Sequence, residues 1–162
     1  MVVVLMGVAG AGKSTVGSLV AARLGVSFLD ADDFHDQSSI DAMRAGLALN
    51  DHQRQPWLRR LNDVLRAHQK SGVVLACSAL KGVYRQTLRE GLDHIVFVLL
   101  AVHETTLATR LSSRIGHYAG PALLASQLTD LELGDDVVAV DGELPPGKVA
   151  DAVIRIVSSP AH

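Results

Sequence analysis

The sequence predicts an α/β fold in which a five-stranded parallel sheet lies between two layers of helices. Short aliphatic runs alternate with helical segments along the chain, as in parallel strands joined by crossover helices. Hydrophobic residues make up 48% of the 162 residues but aromatic residues only 4%, so the core is aliphatic. An aliphatic core suits strands that are buried on both faces. A glycine-rich turn also joins the first strand to the first helix.

The first half of the chain contains three strands and three helices. The opening apolar run stops at Gly7, and the segment after the glycine-rich turn has apolar residues at helical spacing. Gly46 closes a short helix, Asp51 fits the N-cap of the next one, and Pro56 belongs in its first turns. We therefore predict strands over 2–6, 26–29 and 73–77, and helices over 13–24, 38–46 and 51–71.

The second half repeats the alternation. The segment 115–121 carries two glycines and a proline, which indicates a mobile loop between two helices. Pro146 fits the start of the last helix. We predict strands over 94–100 and 137–140, and helices over 83–90, 104–113, 121–131 and 146–158. Ligands of such a sheet bind beyond the carboxyl ends of the strands.

The turn after the first strand fits the phosphate-binding pattern G-x-x-x-x-G-K-[ST]. Glycines let backbone N–H groups approach a phosphate, and the start of the following helix adds free N–H groups and a positive dipole end. A plain glycine-rich turn would not need the Gly-Lys-Ser order. We expect Lys13 to reach the β- and γ-phosphates and Ser14 to ligate Mg²⁺. The residues expected to hold the nucleoside triphosphate are Gly7, Ala9, Gly10, Ala11, Gly12, Lys13, Ser14 and Thr15, together with Arg110 from farther along the chain.

Two carboxylates follow the second strand. Asp30 and Asp32 are two residues apart, so in extended backbone they lie on the same side. They fit one group for Mg²⁺ and one for an acceptor hydroxyl, whereas the alternative is a solvated acidic turn. The third strand ends at Cys77 with no acidic residue after it, where many P-loop ATPases and GTPases carry their magnesium-side Asp. This absence assigns the metal side to Asp30.

Basic residues follow other strand ends. Lys81 and Arg85 are four apart and share a helix face, and Arg54 lies at the start of another helix. Each alone could be a solvated charge, but together they could hold an anionic substrate. Arg110 and Arg114 precede the glycine-rich loop and fit a lid that brings arginines to the transferring phosphate. The alternative for this pair is a plain basic helix end.

Composition excludes several other classes. The net charge of −2 provides no broad basic field, so we expect no nucleic-acid partner. Cys77 is the only cysteine, which allows no internal disulfide and favours the cytoplasm. We find no signal-peptide pattern, no apolar run long enough for a membrane helix, and no zinc-type spacing of the histidines. Neither Asn-Lys-x-Asp nor Asp-x-x-Gly occurs, which argues against a GTPase.

These segments resemble the small P-loop gluconokinase family, which is related to shikimate kinases. The most specific matches are the Asn-Asp…Arg-x-Pro-Trp-Leu segment from Asn50 and the Cys-Ser-Ala-Leu-Lys…Tyr-Arg segment from Cys77. The resemblance runs collinearly over about residues 2–140. It implies a nucleoside-monophosphate-kinase-like fold in a single domain over 1–162, with a lid over about 110–122. It also implies a cytoplasmic, commonly dimeric enzyme that phosphorylates D-gluconate with ATP.

The resemblance also implies roles for individual residues. Asp32 should contact acceptor hydroxyls, with Asp30 toward Mg²⁺. The acceptor-pocket cations would be Arg54, Lys81 and Arg85, with His35 and Gln127 as hydroxyl partners. Arg110, Arg114 and His117 would be lid residues. One departure concerns the lid, since Ile115 stands where the family often has a basic residue.

Three other functions stay open on the sequence. A kinase for another small anionic acceptor, such as shikimate or a different sugar acid, would use the same pattern. A regulatory switch would recognise GTP and hydrolyse it slowly without an acceptor. A non-catalytic ATP-binding module would not need Lys13, Ser14, Asp32 and the lid arginines together.

Overall fold

Five parallel strands form the centre of the molecule. The computed structural model describes residues 1–113 and 121–159. Its strands are β1 (Val2–Met6), β2 (Ser27–Asp30), β3 (Val73–Ala76), β4 (Ile95–Ala101) and β5 (Val137–Asp141). Each lies within one residue of its predicted bounds, so the apolar runs located the strands correctly.

Seven α-helices in the described residues connect and flank the strands. They are α1 (Lys13–Leu24), α2 (Gln37–Arg44), α3 (Asp51–His68), α4 (Gly82–Arg89), α5 (Glu104–Ser112), α6 (Pro121–Asp130) and α7 (Pro146–Ser158). Helices α1 and α7 have their predicted bounds, while α3 ends three residues early. A short 3-10 turn over Ala31–Phe34, which the sequence pattern did not predict, follows β2 directly.

The start of α3 corrects one expectation. Asn50, not Asp51, is the N-cap: its side chain accepts a hydrogen bond from the Gln53 backbone N–H at 2.8 Å. The Gln53 side chain in turn accepts from the Asn50 backbone N–H at 2.9 Å, which completes a capping box. Asp51 is therefore the first helical residue, and its carboxylate is free for tertiary contacts.

The strand order in the sheet is β2-β3-β1-β4-β5, and every neighbouring pair is parallel. Side chains alternate between the two faces, as the two-residue period of a strand requires. Val3 and Leu5 of β1 pack into a cluster with α1, α5, α6 and α7. Val2, Val4 and Met6 pack into the opposite cluster, with α3 and α4. The result is a three-layer α/β/α sandwich with a fully buried central strand.

This topology places the site. From β1 the chain passes through α1 to β2. From β3 it passes through α4 to β4, which lies on the other side of β1. Because α1 and α4 lie on opposite faces, a crevice opens at the carboxyl ends of the adjacent strands β1 and β3. Gly7 and Ser78 meet there, with a backbone hydrogen bond of 3.3 Å.

None of the helices in the described part of the chain combines the length and the apolar character that crossing a membrane requires.

Candidate active site

The phosphate-binding loop, residues 7–15, runs from the end of β1 into the first turn of α1. Gly10 and Gly12 have φ angles of +86° and +93°, a region that side chains with a Cβ rarely adopt. A Cβ on Gly12 would meet no described atom within 4 Å, so the space in front of the helix is open. Among the described residues, no side chain caps the first turn of α1. Its N–H groups can therefore bind an anion.

Lys13 and Ser14 begin α1 beside this loop. The Lys13 Nζ donates to the Val8 carbonyl at 3.1 Å, which keeps the ammonium group against the loop. The Ser14 hydroxyl donates to Asp30 Oδ2 at 2.6 Å, and Asp30 Oδ1 accepts the Asp32 backbone N–H at 3.0 Å. The structure thus brings together the two residues predicted for the metal side. A hydroxyl and a carboxylate are the hard oxygen donors that Mg²⁺ prefers.

Asp32 lies in the 3-10 turn after β2. The residue is exposed to solvent, yet enough protein surrounds the carboxyl group to raise its pKa above the ordinary value of 3.8 by desolvation. The negative charge of Asp30 raises the pKa further, while His35 and Lys13 lower it. Asp32 therefore shares the crevice with the loop lysine and with the metal-side carboxylate.

His35 follows the same turn and stacks on Trp57 of α3, with ring centroids 4.3 Å apart and planes 10° apart. Burial lowers the pKa of His35 more than the nearby Asp32 raises it, and the positive charge of Arg54 also lowers it. Its Nδ1 is buried and has no hydrogen-bond partner among the described residues. Trp57 donates its indole N–H to the Ala31 carbonyl at 2.8 Å, so α3 holds the turn in place.

A cavity of about 510 Å³ opens where α3 and α4 begin. Its described lining residues come from the start of α3, the start of α4 and the end of α6. They are Leu49, Asn50, Asp51, His52, Arg54, Lys81, Tyr84 and Asp130. Two of the three predicted acceptor-pocket cations, Arg54 and Lys81, therefore line one cavity. The positive charge of Arg54 also acts on His35.

Tyr84 is the centre of a polar network in this cavity. Its ring is 3% exposed, and its hydroxyl donates to Asp51 Oδ1 at 2.5 Å and accepts from Arg54 at 3.3 Å. Both cations lie over the ring, Arg54 at 5.5 Å and Lys81 at 5.7 Å from its centroid. Lys81 also pairs with Asp51 at 3.1 Å and with Asp130 at 3.9 Å.

The placement of Arg85 differs from the sequence expectation. Arg85 is 2% exposed and does not line the cavity in the described residues. Its guanidinium pairs with Asp136 at 2.9 Å and donates to the carbonyls of Ala79 and Leu80 at 3.0 and 3.1 Å. Its donors are thus used inside the protein, because α4 turns this position toward the core while Lys81 stays at the cavity.

Gln127 also lies elsewhere than the resemblance implies. Its Oε1 accepts the Ala9 backbone N–H at 2.6 Å, so this residue of α6 contacts the phosphate-binding loop. It is not among the described residues that line the cavity of about 510 Å³. The contact connects the helix that follows the glycine-rich loop to the phosphate site.

Arg110 of α5 contacts the phosphate-binding loop. It donates to the carbonyls of Gly10 at 3.1 Å and Gly142 at 3.4 Å. A second cavity of about 220 Å³ lies between the loop, including Thr15, and the turn from β5 to α7. Arg110 lines this cavity together with Gly10, Ala11 and Gly12 of the loop. Arg114 and His117 lie outside the described residues.

Cys77 is a buried residue at the end of β3, as expected from its small size and apolar setting. It is 2% exposed, and burial raises the pKa of its thiol to about 12. The thiol therefore stays protonated at neutral pH and does not serve as a nucleophile.

Sequence reasoning missed three polar groups of the cavity. Asp51 was considered only as a helix cap, and Asp130 carried no signal, since it lies in α6, far away along the chain. Tyr84 stood in the segment that carries the resemblance but received no role. An acidic residue at the start of the helix that carries Arg54 was the one available clue.

The chain is similar to known proteins in both sequence and fold. The shikimate kinase family model matches residues 9–131. A gluconokinase of Gluconobacter oxydans is 43% identical over 157 residues, covering 94% of this chain and 88% of that protein. The thermosensitive gluconokinase of Escherichia coli is 42% identical over 145 residues, covering 85% and 77%. The crystal structure of a gluconokinase from Sinorhizobium meliloti superposes with a TM-score of 0.85 at 37% identity, covering 96% and 92%.

Proposed function

The chain belongs to the P-loop gluconokinase family, and from that membership we propose that it transfers the γ-phosphate of ATP to D-gluconate, giving 6-phospho-D-gluconate. The observation that carries this proposal is a pair of cavities, one lined by residues of the phosphate-binding loop and one lined by the starts of α3 and α4. One contains Arg110 and is open to a nucleotide, and the other contains Arg54 and Lys81 and suits an acid.

The donor side would bind ATP through the loop. Backbone N–H groups at the start of α1 and the Lys13 ammonium group would neutralise the β- and γ-phosphates. Ser14 and Asp30 would hold Mg²⁺, which supplies charge neutralisation between the phosphates. Within the described residues no three His, Cys, Asp or Glu side chains form a metal cage. This suits an ion that takes its other ligands from phosphate and water.

The acceptor side would bind gluconate by its carboxylate and its hydroxyls. Arg54 is the cation suited to the carboxylate, because a guanidinium can bind one bidentately. Asp32, beside Lys13 and Asp30, would orient the terminal hydroxyl and accept its proton late in the transfer. In a loose transition state, positioning and charge neutralisation contribute more than strong base catalysis.

The segment over about 110–122 would serve as a lid. Arg110 contacts the loop at Gly10 and would neutralise charge on the transferring phosphate or hold the nucleotide. We propose that Arg114 and His117 reach the acceptor site when the segment over about 110–122 closes, and that closure excludes water. We also propose a dimeric, cytoplasmic enzyme of one domain, as the resemblance implies. Light scattering in solution measures the dimer directly.

A coupled assay of ADP release tests the function. We expect Mg²⁺- and ATP-dependent turnover with D-gluconate, and at least about a hundredfold lower rate with shikimate, other sugar acids or no acceptor. Mass spectrometry should identify the phosphate on the terminal hydroxyl. Faster turnover with another acid would replace gluconate as the substrate, and hydrolysis of GTP without any acceptor would indicate a switch.

A further inference from the structure

Among the described residues that line the cavity at the starts of α3 and α4, the charges are balanced. Arg54 and Lys81 bring two positive charges, and Asp51 and Asp130 bring two negative charges. A cavity built only from cations would attract any acid, and the more strongly the more charges that acid carries. A cavity with equal numbers of positive and negative side chains favours a ligand with a single negative charge. That charge can pair with the one described cation that forms no ion pair with a carboxylate.

That cation is Arg54. Lys81 lies 3.1 and 3.4 Å from the two oxygens of Asp51 and 3.9 Å from Asp130, so its charge is already compensated. Among the described residues Arg54 forms no ion pair with a carboxylate within 4 Å, and its charge acts on Asp51 only at longer range; its contacts are the Tyr84 hydroxyl and the face of the Tyr84 ring. One guanidinium can therefore accept one carboxylate from a ligand.

Asp51 is held in its position by contacts from two sides. Tyr84 donates its hydroxyl to Asp51 Oδ1, and Lys81 approaches both oxygens. The Tyr84 hydrogen bond, followed by the contact with Lys81, lowers the pKa of Asp51, so the carboxylate is charged at neutral pH. Tyr84 itself is buried and cannot move away without opening the core beside β3.

We propose that Asp51 is a specificity-determining residue that makes this cavity select sugar acids with one negative charge over those with two. The first carboxylate of a ligand would bind Arg54. A second carboxylate in the same cavity would face Asp51 and Asp130, with Lys81 already neutralised. The hydroxyls of a polyol, by contrast, can donate to these two carboxylates. This inference rests on the proposed function, since it takes the cavity to be the acceptor site.

The variant Asp51→Asn tests the charge with little change of shape. The amide oxygen can still accept the Tyr84 hydroxyl, but Lys81 loses its nearest carboxylate and becomes available to a ligand. Asp130→Asn raises the charge of the cavity by the same amount without altering α3, so it keeps the test decisive if Asp51→Asn does not fold. Asp63→Asn is the matched control, because Asp63 is an exposed residue of the same helix, more than three turns away.

The probes are D-gluconate and D-glucarate, six-carbon acids with one and two carboxylates. Calorimetry on the whole protein should show gluconate binding at least about tenfold more tightly than glucarate. In Asp51→Asn this ratio should fall by about tenfold, mainly through tighter glucarate binding. Asp130→Asn should lower it in the same direction, and Asp63→Asn should leave it unchanged.

Equal binding of the two acids by the unmodified protein overturns the inference, and so does an unchanged ratio in both Asp51→Asn and Asp130→Asn. Failure of the proposed function has a different result. In that case the ADP-release assay shows no turnover with gluconate, while calorimetry can still show the preference for one negative charge and its loss in the variants.

Discussion

Among single residues, Asp32 is the one whose electrostatic surroundings bear most directly on the chemistry. Desolvation and the neighbouring Asp30 raise the pKa of its carboxyl group, while His35 and Lys13 act in the opposite direction. A carboxylate with a raised pKa is a better proton acceptor than an ordinary one. The same environment makes the charged form costly in the folded protein.

The variant Asp32→Asn should therefore be less active and more stable. We expect turnover to fall by about 10²-fold or more, because the acceptor hydroxyl loses its proton acceptor. Since the folded-state pKa is raised, ionisation of Asp32 opposes folding at neutral pH, so the neutral amide should raise Tm there. Steady-state kinetics and thermal unfolding measure the two effects. Asp33→Asn is the control, and near-normal turnover in Asp32→Asn would contradict the role.

The pH dependence of activity follows from the same shift. Protonation of Asp32 removes the proton acceptor, and its pKa is raised above 3.8, so kcat/KM should decline on acidification at a pH above that value. The decline should follow a single proton. His35→Asn should keep this acid limb, which separates Asp32 from the neighbouring imidazole. A profile that stays flat down to the ordinary pKa of Asp would argue against this assignment.

At the scale of elements, Arg85 joins α4 to the segment before β5. It is buried, pairs with Asp136 and satisfies the carbonyls of Ala79 and Leu80. Ala79 has a φ of +45°, which is uncommon for a residue with a side chain, so the turn after β3 depends on such support.

The variant Arg85→Met should lower the free energy of unfolding by about 2–3 kcal/mol, because it removes the guanidinium donor of the Ala79 carbonyl and leaves Asp136 with Arg89 alone. Arg89→Met is the matched control. Arg89 contacts the same carboxylate at 3.0 Å but is 42% exposed, so its loss should cost about 1 kcal/mol or less. Urea unfolding monitors both. Equal losses in the two variants would mean that Arg85 is not the supporting residue.

Gln127 connects α6 to the phosphate-binding loop. The variant Gln127→Leu tests whether this residue supports the binding of ATP or of the acceptor. The leucine leaves the Ala9 N–H without its acceptor, a loss of about 0.5–1.5 kcal/mol. Because the loop holds the phosphates, we expect the KM for ATP to rise several-fold and the KM for gluconate to change less. The reverse pattern would support the contact with an acceptor hydroxyl that the resemblance implies.

On the scale of the whole molecule, stability comes from the two apolar clusters on the faces of the sheet. Leu5 lies on the central strand with no exposed surface, whereas Val138 lies on the edge strand β5 and is 43% exposed. Leu5→Ala should lower the free energy of unfolding by about 2–5 kcal/mol, because it leaves a cavity that neighbours cannot fill. Val138→Ala should change it by about 0.5 kcal/mol or less. Chemical denaturation compares them, and similar losses would mean that the sheet centre does not dominate.

Local patterns were sufficient for most of the fold and for locating the phosphate-binding loop. A continuous apolar run predicts a strand that is buried on both faces of a parallel sheet. The Gly-Lys-Ser order predicts a phosphate-binding loop from the residues of a single turn. Ser14 lies in the helix that follows β1, and Asp30 is the last residue of β2. The carboxyl ends of these parallel strands lie at the same end of the sheet, so the contact could be anticipated. The helix cap at Asn50 was missed because Asn and Asp are both good caps and stand side by side.

The sequence by itself determined that this chain forms a parallel α/β sheet with a phosphate-binding loop after its first strand, because those features depend on residues close together in the chain. Only the tertiary structure decided where each of the predicted acceptor-pocket cations lies. Lys81 and Arg85 share a helix face by spacing, yet Lys81 lies in the cavity beside Asp51 and Arg85 is buried against Asp136. The difference arises from partners 30 and 51 residues away along the chain, which no local pattern specifies.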